Sequence, residues 1–161
     1  MEKEFTLDDL KKRYKEIQIK HKLPSFEQLN EDFSIEKTVE TESEILIREV
    51  RRYIGEKFLG YLRFIEMLIN PVNSPMFIFS IIKTLNLKDR EKLNEIYKKL
   101  SKMQIKFLEL DVDFSEEKEA VFIRESYTLW QEIKRELLEI VETINKNWDN
   151  KIEKEGKGYF G

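Results

Sequence analysis

The sequence predicts an all-α fold, a single-domain helical bundle of about six helices built on two long antiparallel helices. Three observations predict it. Only five Gly and three Pro punctuate 161 residues, while Glu, Lys, Leu and Ile abound. Apolar residues recur at three- and four-residue spacing over long stretches. Capping residues stand where most of those stretches begin.

Thr6 and Asp9 form a capping-box-like pair, so the first helix starts there. Leu7, Leu10, Tyr14, Ile17 and His21 make its apolar stripe. Asp8 and Asp9 lie in the first turn and Lys20 and Lys22 in the last, an order that complements the helix dipole. Pro24 stops this helix. Ser25 and Gln28 then open a short one, Phe26 to Asp32, anchored by Leu29 and Phe33.

The first long helix is expected from about Thr38 to Asn70. Ile47, Val50, Ile54, Phe58, Tyr61, Ile65 and Leu68 give it a heptad seam, and Leu46, Tyr53, Leu62 and Ile69 add a second row. Gly55 and Gly60 each cost about 1 kcal/mol relative to Ala inside a helix. Close approach of a neighbouring helix, such as the apolar segment after Pro75, would account for them.

That segment, Met76 to Leu85, is apolar on most sides. Ser74 can cap it and Pro75 fits its first position. The pattern predicts a helix enclosed by others, with the rest of the chain organised around it. The stretch is too short and too interrupted by Asn70, Pro71, Asn73 and Pro75 to span a membrane, which takes roughly 20 apolar residues. Contact with a membrane surface through Met76, Phe77 and Phe79 is the lesser expectation.

A further helix is expected near Asp89 to Leu108, with Leu93, Ile96, Leu100, Met103 and Phe107 facing inward. From Leu108 to Phe114 the period becomes two, and this run is predicted as an extended connector. Ser115 caps the second long helix, which is expected to reach about Glu155 along Phe122, Ser126, Trp130, Ile133, Leu137, Ile140, Ile144 and Trp148. The expected division is one domain, 1–155, and a flexible C-terminal tail, 156–161, that carries Tyr159 and Phe160.

Composition excludes several function classes. The net charge is −3, so no overall basic field attracts nucleic acid. Cys is absent, which removes disulfides, thiolate metal sites and cysteine nucleophiles and fits a cytoplasmic location. The start, Met-Glu-Lys-Glu-Phe, has no apolar signal core. His21 is the one histidine and cannot build a metal site alone. Asp111, Asp113 and Ser115 imitate the start of a calcium loop, but Glu116 stands where glycine belongs and Phe122 where the bidentate acid belongs. No phosphate loop, nucleophile motif or carboxylate pair is present, and neither a cofactor nor a metal is expected.

Two charge groups remain as candidate binding residues. Arg48, Arg51 and Arg52 could hold phosphate or nucleic acid, although Glu44, Glu49 and Glu56 stand at helical spacing to pair with them. Arg63 and Glu66, three residues apart in the most apolar part of the long helix, would flank a small-ligand pocket with Tyr61 if they point inward. The heptad phase favours the solvent-facing flank for both. The function the sequence favours is therefore non-enzymatic, a protein–protein interaction or scaffold module. The apolar width of its seams makes homodimerisation the natural mode of assembly.

Overall fold

A computed structural model describes residues 3–41 and 44–160, the last ten by backbone alone. Among the described residues the chain forms six α-helices, one 3-10 helix and no strand: α1 (Leu7–His21), α2 (Phe26–Phe33), a 3-10 turn (Ile35–Thr41), α3 (Leu46–Ile69), α4 (Met76–Thr84), α5 (Leu87–Val112) and α6 (Glu116–Phe160). The helical-bundle class is the one expected. No helix is long and apolar enough to cross a membrane among the described residues.

The caps of α1 and α2 form as the sequence dictates. Thr6 and Asp9 close a capping box on α1, and Ser25 and Gln28 close one on α2. Both helices end in a residue at positive φ, Lys22 and Ser34, whose backbone N–H returns to the last turn. The long helix does not start at Thr38. The Thr38 and Thr41 hydroxyls donate back to the Ile35 and Thr38 carbonyls, and this run of β-branched residues takes a 3-10 path instead.

The predicted connector is also corrected. Residues 108 to 112 complete α5. Their period-two pattern is two helix faces interleaved, with Leu110 buried and Leu108 and Val112 exposed. At the other end, α6 is helical through Phe160. The side chains of Tyr159 and Phe160 lie outside the described residues.

The chain gathers into two compact units, Met1–Leu59 with Lys102–Leu129, and Gly60–Ser101 with Trp130–Gly161. The first unit packs α1, α2 and the start of α3 with the end of α5 and the start of α6. Its core includes Leu10, Tyr14, Leu29, Ile54, Phe58 and Ile123, each almost wholly enclosed. In this unit Phe107 of α5 lies against Gly55 of α3, and Asp111 reaches Arg51 one turn earlier on α3. Phe107 also meets Phe122, and Lys106 meets Glu125. These pairs run α5 against both α3 and α6. The two long helices α3 and α6 do pack together, but α5 is the antiparallel partner of each, so α3 and α6 point the same way. Two reversals of direction separate them, which leaves the first and third helices parallel.

The second unit pairs α5 with α6 through Lys99–Glu132 and Lys92–Glu139. Tyr61 of α3 stacks on Trp130 of α6 with ring centres 5.1 Å apart. Here α4 overturns the expectation of a fully enclosed helix. Only Ile78, Ile81 and Thr84 are buried, whereas Met76 is 86%, Phe77 60% and Phe79 43% exposed. A helix of nine residues at the reversal between α3 and α5 rests one side on the unit and leaves the other uncovered. Its N-cap is Pro75, and no side chain caps it, Ser74 included.

Candidate functional site

The deepest polar cluster is in the first unit. Arg51 has no exposed surface. Its Nε donates to Glu119 Oε2 at 2.7 Å and its Nη2 to Glu119 Oε1 at 3.1 Å, a two-pronged bond to a carboxylate that is itself wholly buried. Nη1 donates to Asp111 Oδ1 at 2.7 Å. The guanidinium lies 4.6 Å from the centre of the Phe107 ring. Phe107 reaches it because Gly55 leaves space on α3.

The electrostatics follow from that geometry. Burial opposes the Arg51 charge, but the bonds it donates to Glu119 and Asp111 outweigh it and hold the guanidinium ionised. Burial pushes the Glu119 carboxyl above its usual range, and Arg51 pulls the other way. The cluster is satisfied from within and, apart from Asp111, closed to solvent. It ties α3, α5 and α6 in one register.

The three candidate arginines therefore do not form one exposed patch. Arg51 points inward. Arg52 lies at the surface with Glu49 3.6 Å away. Arg48 is half-buried; its charge acts on Glu119, and its Nε is enclosed without a hydrogen bond among the described residues. Sequence reasoning weighed Arg51 as a surface cation and missed its partners Glu119 and Asp111.

Arg63 and Glu66 are both exposed, on the flank that the heptad phase favours. Tyr61 is committed to Trp130. A hollow of about 220 Å³ in this unit is lined by Leu68, Ile69, Pro71, Ile82, Arg90, Leu93 and Asn94. Neither Arg63 nor Glu66 lines it, and it is smaller than the roughly 300–1,000 Å³ usual for ligand pockets.

His21 lies at the end of α1 with its side chain mostly covered. Its Nε2 is 2.8 Å from Glu116 Oε1, and Lys20 Nζ is 3.1 Å from the same oxygen. Those two contacts hold the Glu116 carboxyl below its usual range. Among the described residues no cluster of His, Asp and Glu is arranged to hold a metal ion.

Uncovered apolar side chains are the other feature that could meet a partner. In the first unit Ile105, Leu108 and Val112 of α5 are 66%, 56% and 89% exposed. Their spacing of three and four places them on one stripe of the helix. In the second unit the exposed side of α4 is the larger concentration. No protein-family model, curated protein or solved structure matches this chain.

Proposed function

We propose that this protein is a non-enzymatic interaction and scaffold module that pairs with a second copy of itself through α5. The observation that carries the proposal is the outward stripe of Ile105, Leu108 and Val112. In the first unit this stripe breaks a helix surface that carries Lys102, Lys106 and Glu109 beside it, and a heptad-spaced apolar stripe is what a facing helix reads.

Charge complementarity selects the partner. Two copies of α5 laid antiparallel about a two-fold axis place Ile105 of each opposite Leu108 of the other. In that register Lys102, on the flank of the stripe, faces Glu109 of the second copy, and the pairing occurs twice. Lys102 and Glu109 are both exposed. The contact is short, so its area falls below that of a permanent dimer and association belongs in the micromolar range or weaker.

Sedimentation velocity over a concentration series tests this. The expected result is a reversible monomer–dimer equilibrium. It is lost in Leu108→Glu and weakened in Lys102→Glu or Glu109→Lys alone. It returns when those two charge reversals are combined. A single monomeric species at every concentration overturns the proposal, as does a dimer indifferent to Leu108→Glu.

A further inference from the structure

The hollow where the end of α3 meets α4 and α5 carries a second inference, independent of the proposed pairing through α5. Leu68 and Leu93, both buried, form its floor, and Ile69 and Ile82 line it beside them. Arg90 and Asn94 are its polar side chains, and both are exposed, so they stand at its mouth. Arg90, Leu93 and Asn94 share one face of α5 by their spacing of three and four. Among the described residues no acid lines the hollow.

Arg90 has no partner for its charge. Among the described residues its guanidinium makes neither an ion pair nor a hydrogen bond. Asp89 beside it accepts the Asn86 N–H at 3.1 Å, and Glu95 pairs with Lys98. Glu91 and Glu66 are exposed and do not line the hollow. Position does not account for Arg90 either. It stands in the first turn of α5, the helix end whose dipole favours anions. Asn94 spends one amide N–H on the Arg90 carbonyl at 3.1 Å and keeps the other. A solvated arginine needs no partner, but this one borders an apolar hollow that offers it none. A small amphipathic anion completes that arrangement.

Volume sets the other limit. An apolar cavity of about 150 Å³ is enough to take up benzene. The hollow is too small for a drug-sized ligand, but its volume of about 220 Å³ admits a single ring or a short branched chain with one carboxylate. We infer that it binds small monocarboxylates of that kind. The apolar end lies against Leu68, Ile82 and Leu93, and the carboxylate takes a two-pronged bond from Arg90 with the Asn94 amide beside it.

Ligand-observed NMR of the full chain with benzoate tests this, alongside benzamide and benzylamine. Benzoate should bind saturably with a dissociation constant of about 1 mM, the range open to so small a ligand. Benzamide should bind about tenfold more weakly or worse, because it brings no anion to Arg90. Benzylamine sets a cation against Arg90 and should not bind. Arg90→Gln should weaken benzoate about tenfold or more, and Arg90→Lys should recover part of the loss. Lys88→Gln removes the same charge from an exposed residue of the same helix turn that does not line the hollow, and should change nothing. Ile82→Phe fills the hollow and should abolish binding while circular dichroism keeps the helical signal. Should that variant unfold, Arg90→Gln decides alone, since Arg90 is exposed. No benzoate binding up to about 20 mM overturns the inference. So does an affinity that survives Arg90→Gln, and so do benzamide or benzylamine binding as tightly as benzoate.

Discussion

Phe107 occupies the volume that a side chain at Gly55 would need. A Cβ built on Gly55 stands 2.0 Å from Phe107 Cε2, while one built on Gly60 meets nothing within 4 Å. The two glycines sit in the same helix and should respond to alanine with opposite signs. Gly60→Ala gains up to about 1 kcal/mol of helix propensity at no steric cost. Gly55→Ala gains the same propensity but must displace a ring held by Arg51 and Phe122, and overpacking of that kind costs about 1–3 kcal/mol. The net change at Gly55 is therefore a loss. Urea unfolding of the two variants beside the parent gives both signs in one experiment.

The Arg51–Glu119 bond should dominate single-site stability in the first unit. Arg51→Met leaves the Glu119 carboxylate buried without its cation, a change that costs about 3–5 kcal/mol. Arg51→Met with Glu119→Leu replaces both charges by apolar groups and should recover most of that loss. The single variant also carries a pH signature. Without Arg51 the burial that raises Glu119 is opposed only by the more distant charge of Arg48, so its folded-state pKa lies above the unfolded one and stability increases as pH falls. The gap between Arg51→Met and Arg51→Met with Glu119→Gln should accordingly narrow on going from about pH 8 to about pH 5. A gap constant with pH removes the claim that Glu119 is the stranded group.

The class of fold and most of the core were legible because helical period is a strong signal. Ile47, Val50, Ile54, Phe58 and Ile65 are buried as their spacing requires. So are Leu93, Ile96, Leu100 and Met103 on α5. Two things were not legible, for a shared reason. Arg51 stands four residues after Ile47 and three before Ile54, inside the apolar phase, and Glu119 stands three before Phe122 and four before Ile123. Phase alone placed both inside, but their charge argued for the surface, and only the partner across the bundle resolves that conflict. For α4, an apolar sequence says that a side chain is costly to expose. It does not say whether this chain has enough surface to cover it, and Phe77 and Phe79 remain uncovered. Gly55 was correctly marked as a site of close approach, but the neighbour is α5 and not α4, and Gly60 has no such neighbour.

Tyr14 should matter through its hydroxyl. The side chain is buried, and its Oη donates to the Pro24 carbonyl at 2.5 Å, tying the body of α1 to the turn that ends it. Tyr14→Phe keeps the ring and strands the carbonyl, for a cost of about 1–2 kcal/mol. Burial first, and then the charge of Glu27, raise this phenol above its ordinary value of 10.0. A raised folded-state pKa means that stability is intact below the unfolded value and is lost as pH climbs through it. The advantage of the parent over Tyr14→Phe in urea should therefore shrink above about pH 10.

Glu116 reverses that sign. His21 and then Lys20 hold its carboxyl below the ordinary value of 4.5. For a carboxylate lowered on folding, the stabilising contribution is present above the unfolded value and disappears as pH falls through the folded one. Because Glu116 also stands in the first turn of α6, its negative charge favours that helix end over the same range. Glu116→Gln should lower the thermal midpoint at neutral pH and differ progressively less from the parent as pH drops below about 4.5. His21→Ala should move the midpoint in the same direction, and the two substitutions together should cost less than their sum, since each removes one end of a single contact. Full additivity would mean that the 2.8 Å approach of His21 to Glu116 contributes nothing to folding.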